Sequence, residues 1–336
     1  MDIRRMPIEH PSAWRADDIT RDRSWIVTLA PAMVAELEGA ADRALARGLS
    51  VGDFDPRDIP VPLTQTALDR CLDDVRNGRG FVLLRGLPIE RYDLETCKLL
   101  YWILIARLGT PVTQNLAGEL MARIADFGFD VNQLNVKPSQ TSAEQRPHSD
   151  PADIVALLCI SKPASGGTSR IASSIAIYNE ILATHPEYLE PLYRGFHHDL
   201  RGDASADSPY GVTPRPIPVY RWHRGVLSCV FNASTIKDAE RRMPHRVPEA
   251  EMRAVDAIVD LARDDRFRVD MEFQPGDIQL LNNHTCLHWR TAFIDDAEHR
   301  RLLLRFWMNT PGARPIDPEM AAGYITGART GVALPR

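Results

Sequence analysis

A histidine and a carboxylate lie two residues apart in the middle of the chain, at His148 and Asp150. In extended backbone, residues i and i+2 share a face, so both side chains would point the same way, with Ser149 turned away. The apolar run at 154–160 predicts a buried strand beside them. One histidine and one carboxylate supply two of the three ligands of a non-haem iron(II) site. Because so short a pattern is common by chance, a metal site needs a third ligand elsewhere.

Two further histidines, His284 and His288, follow a predicted strand that begins at Ile278. They are four residues apart, and from the residues alone either side chain could complete the ligand set. Asp153 is an alternative carboxylate, but it lies five positions after His148, so a strand would turn it to the opposite face. The sequence therefore predicts a metal site with one choice between two histidines left open.

Arginines follow on the last predicted strand of the chain. Strand alternation places Arg301, Leu303 and Arg305 on one face, so both guanidinium groups could point into a barrel. The same parity favours Arg301 over its neighbour Arg300 as the residue that faces the barrel interior together with Arg305. A buried arginine is costly unless it meets an anion. We therefore expect an anion near the metal, although Arg305 could instead pair with a carboxylate of the core.

The elements that must position these residues predict a mainly β fold with appended helices. Helices are expected over 33–47, 63–75 and 93–108, from Ile175 with Ser174 as N-cap, and after Pro248; strands are expected over 81–84, 154–160, 267–273, 278–281 and 302–308. Strands and helices do not alternate, which favours an antiparallel double sheet, a jelly-roll barrel, over a doubly wound sheet.

We predict one domain over residues 1–336, with a helical N-terminal part at 1–79, a jelly-roll core with insertions at 80–311 and a C-terminal tail at 312–336. The segment 110–147 is either a loop that covers a substrate or a plain surface connection. Within it, Asn115, Gln140 and Glu144 are candidates for substrate contacts, and for each the simpler interpretation is a solvated loop side chain. Trp289, Phe306 and Trp307 are expected to pack the barrel.

Composition narrows the classes of partner. The net charge is −5 and no basic block occurs, which argues against binding to nucleic acid or to an anionic membrane. No apolar run approaches the roughly 20 residues that cross a bilayer, and residues 1–9 do not resemble a secretory signal. The five cysteines are scattered without a C-x-x-C pair, which is typical of a reduced, cytoplasmic protein. A homo-oligomer is possible.

Taken in order, the motifs resemble the taurine dioxygenase and clavaminate synthase-like family of iron(II)- and 2-oxoglutarate-dependent oxygenases. The resemblance runs from about residue 80 to about residue 311. It rests on His148-x-Asp150, Gly166-Gly167-Thr168-Ser169, Asn283-x-x-x-Leu287-His288-x-Arg290 and Arg301-x-x-x-Arg305. The family fold is a double-stranded β-helix with appended helices, in agreement with the barrel expected from the strands.

The resemblance implies a cofactor and a cosubstrate. His148, Asp150 and His288 would bind Fe(II), and 2-oxoglutarate would chelate the metal, with O2 taking the last position. The activity would couple decarboxylation of 2-oxoglutarate to succinate and CO2 with oxidation of a C–H bond in a small, anionic or zwitterionic metabolite. Halogenating relatives carry a small residue in place of the carboxylate, so Asp150 favours hydroxylation, desaturation or cyclisation.

The resemblance also implies roles for the remaining polar residues. The far carboxylate of 2-oxoglutarate would meet Arg301 in a two-pronged contact, helped by the hydroxyl of Thr168 or Ser169. Arg305 would stand close to the site, where some relatives hold an anionic group of the substrate. A metal-binding barrel without 2-oxoglutarate would not need Arg301, and a non-catalytic sensor would be expected to have lost a ligand, whereas none is missing.

Overall fold

The computed structural model describes residues 3–322 except 116, 132, 134–135, 202–207, 209 and 311–313. Most of the predicted tail at 312–336 therefore lies outside the described residues. In chain order, the described strands are β1 (Ile26–Thr28), β2 (Phe81–Arg85), β3 (Thr110–Val112), β4 (Met121–Ile124), β5 (Gln145–His148), β6 (Ile154–Ser161), β7 (Ser165–Gly166), β8 (Ser169–Ser173), β9 (Tyr220–His223), β10 (Val226–Cys229), β11 (Val269–Met271), β12 (Ile278–Asn282), β13 (Cys286–Arg290), β14 (Phe293–Ile294) and β15 (Leu302–Asn309).

The α-helices of the described residues divide into an N-terminal group, a group inserted between the strands and a short C-terminal helix. In chain order they are α1 (Ala16–Arg21), α2 (Pro31–Ala46), α3 (Pro62–Asn77), α4 (Leu94–Ile105), α5 (Ser174–Thr184), α6 (Leu189–Arg194), α7 (Ala233–Arg242), α8 (Glu249–Arg263) and α9 (Pro318–Ala322). None of the helices in the described part of the chain has the length and apolar character needed to cross a membrane.

Two sheets face each other. The larger has the order β1-β2-β12-β6-β15-β3, with β4 also paired to β15, and the smaller has the order β11-β8-β13-β5. Neighbouring strands are antiparallel except for β1 and β2, which are parallel. Apolar side chains of both sheets meet between them, among them Phe81, Val155, Ile171, Val269 and Leu303. The antiparallel double sheet predicted from the sequence is confirmed.

Helices cover the outer face of each sheet. The side chains of α2, α3 and α4 pack on the larger sheet, where Leu304, Phe306 and Met308 of β15 point outward. Those of α5, α6 and α8 pack on the smaller sheet against Leu287 and Trp289 of β13. Because strand residues alternate between faces, the other residues of β13 and β15 point inward. The inner faces of these two strands therefore carry polar residues such as His288, Arg290 and Arg305 next to apolar ones such as Leu303.

Three local features differ from the sequence prediction. The N-terminal part, expected to be helical, also contributes β1 to the sheet edge. The helix α7 was not predicted; Asn232 caps it by accepting a hydrogen bond from the backbone N–H of Thr235. The N-cap of α5 is Ser173, because its hydroxyl oxygen, and not that of Ser174, accepts from the N–H of Ala176 at 2.9 Å. The five cysteines are buried and free, as their spacing predicts.

The turn before β12 gives a test of the fold. Gly276 has φ +86°, and a Cβ there would lie 1.9 Å from the carbonyl oxygen of Leu87. Gly225 has nearly the same φ, +85°, but a Cβ there would meet no atom of the described residues within 4 Å. We expect Gly225→Ala to cost about 1–2 kcal/mol of unfolding free energy from backbone strain alone. Gly276→Ala should cost roughly 3 kcal/mol or more, since the clash adds to that strain. Urea unfolding of both variants measures the difference, and equal losses would contradict it.

Candidate metal centre and active site

Two histidines and an aspartate converge between the sheets. His148 ends β5 and lies directly opposite His288 on β13, and Asp150 follows two residues after His148. The Nε2 atoms of His148 and His288 lie 3.9 and 3.5 Å from the two carboxylate oxygens of Asp150. One candidate ligand atom from each residue lies within 4.8 Å of the others, and no other such group of three occurs among the described residues. All three side chains are buried.

The local backbone explains why these groups point together. The Nδ1–H of His148 donates to the carbonyl of Arg146 at 2.8 Å. Since a carbonyl only accepts, the lone pair of His148 is on Nε2, the atom that faces Asp150. The backbone N–H of Asp150 donates to the side-chain oxygen of Asn283 at 3.0 Å. The hydroxyl of Ser149 turns away from the site and accepts from the N–H of Phe231, as strand alternation predicts.

Electrostatics set the protonation states that a metal requires. Burial, and then the neighbouring His288, lower the pKa of His148 to about 3, so its imidazole is neutral at pH 7. Burial alone would raise the pKa of Asp150, but Arg305 and then His288 and His148 outweigh it and hold that pKa below its usual value. A neutral imidazole and an ionised carboxylate are the forms that coordinate divalent cations.

The donor set fits an iron(II) ion. Oδ2 of Asp150 is buried and has no hydrogen-bond partner among the described residues. A buried carboxylate oxygen without a partner is unfavourable, and a cation beside it would remove that cost. Two histidine nitrogens and one carboxylate, with positions left open, form the ligand set typical of non-haem iron(II) oxygenases. The residues present therefore suit the metal that the sequence predicts.

Arg301 lies in the wall of the same cavity as His148 and His288, together with Ser169. Its side chain is buried, whereas Arg300 is exposed. The Nη1 of Arg301 is buried without a hydrogen-bond partner among the described residues. Burial lowers the pKa of Arg301 to about 10, so the group is still cationic at pH 7. The cavity thus presents an uncompensated positive charge close to the three candidate ligands.

A second cavity, of about 230 Å³, shares Arg301 and Leu303 with the first and is also lined by Thr168 and the turn at 163–167. We call the cavity that contains His148 and His288 the inner cavity and this one the outer cavity. Gly167 has φ +70°, and a Cβ there would lie 3.2 Å from Nε of Arg301. Glycine at this position lets the turn lie close against the guanidinium group. Of the two hydroxyl residues predicted to help Arg301, Ser169 therefore lines the inner cavity and Thr168 lines the outer one.

Arg305 contacts the candidate aspartate ligand directly. Its Nη1 lies 3.4 Å from Oδ1 of Asp150, its Nε donates to the side-chain oxygen of Gln114 at 2.8 Å, and its guanidinium carbon lies 4.2 Å from the centroid of a Trp307 ring. The sequence left open whether Arg305 meets a substrate or a core carboxylate. In the structure its partner is a carboxylate, and that carboxylate belongs to the candidate metal site.

The alternative ligands lie elsewhere. His284 pairs with Asp153 at 3.2 Å, and Asp153 also accepts from the backbone N–H of Thr310. These two residues form a separate buried pair outside the group formed by His148, Asp150 and His288. Of the two histidines that the sequence left open, His288 is the one that approaches Asp150.

The loop residues considered as substrate contacts do not line the cavity. Glu144 forms an ion pair with Arg263 at 2.8 Å, Asn115 donates to Glu119, and Gln140 accepts from the N–H of Lys137. The cavity is lined instead by Ile124, Ser139 and Gln145 of the same segment. Gln145 reaches the cavity because the pairing of β13 with β5 shifts register between His288 and Arg290. A bulge of this kind leaves no recognisable pattern in the sequence.

Comparison with known families agrees with this geometry. The model of the family described as "Taurine catabolism dioxygenase TauD, TfdA family" matches residues 42–307. The chain belongs to this family. It is 30% identical over 332 residues to FR-33289 synthase of Streptomyces rubellomurinus, covering 96% of both chains. It is also 25% identical over 323 residues to a taurine hydroxylase-like protein of Stachybotrys chartarum, covering 92% of this chain and 82% of that protein.

Solved structures share the fold. An asparagine oxygenase in complex with Fe(II), 2S,3S-3-hydroxyasparagine and succinate superposes with a TM-score of 0.65 at 18% identity, covering 89% of this chain and 98% of that one. The non-haem iron oxygenase OrfP, in complex with Fe and alpha-ketoglutaric acid, gives a TM-score of 0.59 at 16% identity, covering 85% and 93%. Membership of the TauD, TfdA family makes the protein an iron- and 2-oxoglutarate-dependent dioxygenase, which confirms the class and the cofactors predicted from the sequence.

Metal binding tests the three candidate ligands directly. We expect the wild-type protein to bind one Co(II) ion as a spectroscopic substitute for iron. His148→Ala, Asp150→Ala and His288→Ala should each weaken binding by more than the roughly 10- to 100-fold that results from losing an outer-shell partner of a ligand. Titration followed by the visible absorption of Co(II) measures this. His245→Ala, at an exposed histidine, should bind as the wild type does. Wild-type affinity in His288→Ala would exclude His288 as a ligand.

Proposed function

We propose that this dioxygenase couples the oxidative decarboxylation of 2-oxoglutarate to the hydroxylation of a small, anionic or zwitterionic metabolite, with His148, Asp150 and His288 as its iron ligands. One observation carries the proposal. The three side chains converge, His148 and His288 line a cavity beside them, and Arg301, with a buried Nη1 that lacks a hydrogen-bond partner among the described residues, lines the same cavity. A metal-binding barrel that does not use 2-oxoglutarate would have no need of that buried cation.

The cosubstrate suits the cavity in charge. A guanidinium group binds a carboxylate through parallel charge-assisted hydrogen bonds, so the distal carboxylate of 2-oxoglutarate would supply the missing partner of Arg301. The hydroxyl of Ser169, in the same cavity wall, would donate a further hydrogen bond to that carboxylate. Thr168 lines the outer cavity and would contribute only if the ligand extends past Arg301.

The side chains of the site prepare it for this chemistry. When bound, the iron supplies the oxygen chemistry that amino-acid side chains cannot provide. The carbonyl of Arg146 fixes the tautomer of His148, and Arg305 holds the Asp150 carboxylate in its ionised form. The apolar residues Leu157 and Leu303 line the cavity and exclude water from the reacting groups.

The charge of the cavity wall indicates the class of substrate. Arg290, Arg301 and Arg305 all line it, with the single carboxylate of Asp150 beside them. A surplus of buried cations favours ligands that carry a carboxylate or another acidic group. The neighbours support this class, since their structures are complexes with 2S,3S-3-hydroxyasparagine and (3S)-hydroxy-L-Arg. Both are hydroxylated, zwitterionic amino acids, which is why we favour hydroxylation over desaturation or cyclisation.

The proposed activity is tested by succinate release that depends on the substrate. The enzyme is supplied with Fe(II), O2 and 2-oxoglutarate, and succinate is measured across a panel of amino acids and small acids. We expect a subset of acidic or zwitterionic compounds to stimulate release, and the product to carry one oxygen atom from isotopically labelled O2. A product that has lost two hydrogen atoms and gained no label would show that the reaction is desaturation or cyclisation and not hydroxylation.

The contribution of Arg301 is tested with its neighbour as the control. Arg301→Ala should raise the KM for 2-oxoglutarate steeply. Losing a hydrogen bond to a charged group costs about 1.5–3 kcal/mol, which is roughly a 10- to 150-fold effect. Arg300→Ala removes the same charge from an exposed side chain and should leave KM unchanged. Co(II) affinity should be the same in both variants. An unaltered KM in Arg301→Ala would remove this residue from the cosubstrate site.

A further inference from the structure

Arg290 joins a backbone segment to the active-site cavity. It lies two residues after His288 on β13, and its side chain is buried. Its Nη1 donates to the carbonyl oxygens of Ala143 at 2.6 Å and Ser142 at 3.4 Å. Its Nη2 donates to the carbonyl oxygens of Pro138, at 3.0 Å, and Thr141. One guanidinium group therefore binds four carbonyls of residues 138–143, which we call the latched segment.

The latched segment leads directly to the candidate metal site. Ser139, within it, lines the cavity. The segment continues into β5, which ends at His148 and pairs with β13. Backbone carbonyls that bind a buried guanidinium group cannot leave it without losing several hydrogen bonds, of which the bond to Thr141 is fully buried. The position of Arg290 therefore influences both the cavity wall and the approach to His148.

The other side of Arg290 faces the cavity. Its Nε is buried and has no partner among the described residues, as is also true of Nη1 of Arg301. The guanidinium carbons of the two arginines lie 4.7 and 5.3 Å from the centroid of the same ring, that of Phe293. Two buried cations that contact the same ring repel each other. An anion bound in the cavity would offset that repulsion and could pair with both groups.

We propose that Arg290 is a positioning residue that couples binding of the anionic cosubstrate at Arg301 to closure of the latched segment. A ligand shifts an equilibrium only by binding one state better than the other. When the segment is closed, its carbonyls hold Arg290 against the ring that Arg301 also contacts. Both positive charges then face the cavity, which attracts an anion most strongly in this state. Linkage requires that the effect also run the other way. A protein in which Arg290 no longer holds the latched segment should therefore bind 2-oxoglutarate less tightly. This inference rests on the proposed function, in which 2-oxoglutarate is the anion.

Three variants separate charge from latching. Arg290→Gln removes the charge and most of the donors, whereas Arg290→Lys keeps the charge but cannot reach four carbonyls with the fixed fork of a guanidinium. The matched control is Arg263→Gln. It breaks the ion pair with Glu144, one residue beyond the latched segment, from the solvent side, and leaves the cavity unchanged. Circular dichroism and thermal unfolding establish which variants fold.

Two measurements are made on the Co(II)-loaded protein without oxygen. Calorimetry gives the Kd for 2-oxoglutarate, and hydrogen–deuterium exchange of residues 137–147 is followed with and without 2-oxoglutarate. In the wild type and in Arg263→Gln we expect 2-oxoglutarate to slow exchange in this stretch. In Arg290→Gln the Kd should rise about 10-fold or more, within the usual range of coupling between sites, and the slowing should be lost. In Arg290→Lys the Kd should rise less, but the slowing should again be lost.

Each outcome decides a separate point. If Arg290→Gln and Arg290→Lys bind 2-oxoglutarate with the wild-type Kd and show the wild-type slowing of exchange, the inference is wrong while the proposed function stands. If Arg290→Gln does not fold, the measurements on Arg290→Lys alone test the inference. If the wild type fails to bind 2-oxoglutarate, the proposed function fails first, and the coupling fails with it. If the Kd rises as much in Arg263→Gln as in Arg290→Gln, the inference is also wrong, because Arg290 would then only stabilise the loop in general.

Discussion

The burial of several charged groups in one small space is the constraint on which this structure depends. Asp150, Arg290, Arg301 and Arg305 all lie between the two sheets, where a charge without a partner is expensive. Two of these charges partly compensate each other, since Arg305 pairs with Asp150. Arg290 satisfies its Nη atoms with backbone carbonyls, and Arg301 is left with an Nη1 that has no partner among the described residues. An interior of this kind is best explained as a site built around ligands of opposite charge.

Stability for such an interior comes from outside the sheets. Along β13, Leu287 and Trp289 pack beneath helices while His288 and Arg290 point inward, and along β15 the residues Leu304, Phe306 and Met308 pack outward while Arg305 points inward. Burial of apolar surface on these outer faces stabilises the fold and offsets the cost of the polar cavity. The inner faces can therefore change their chemistry with little effect on the helices that hold the sheets, which is consistent with functions that reside in sites rather than in folds.

Much of the site was predictable because its information is local. The spacing of His148 and Asp150 and the shared parity of Arg301 and Arg305 follow from strand alternation, and helical periodicity located α2, α3 and α8. The rest depends on contacts between distant segments. The pairing of His284 with Asp153, the register shift that brings Gln145 into the cavity and the edge strand β1 involve partners that no sequence window contains. Arg290 belonged to the motif, but its partners are backbone carbonyls, which carry no side-chain signal.

The same electrostatics connect the metal to the cosubstrate. Before ligands bind, three arginines face one carboxylate across neutral His148, so a divalent cation enters a cavity that is already positive and gains mainly from direct contact with its ligands. A dianion such as 2-oxoglutarate would reduce that surplus, and in the proposed function its distal carboxylate would pair with Arg301. Each ligand then improves the environment of the other, and by linkage their affinities rise together. An active site with this arrangement would favour having both bound over having either alone, and Arg305, by keeping Asp150 ionised, preserves a negative charge that would attract the metal.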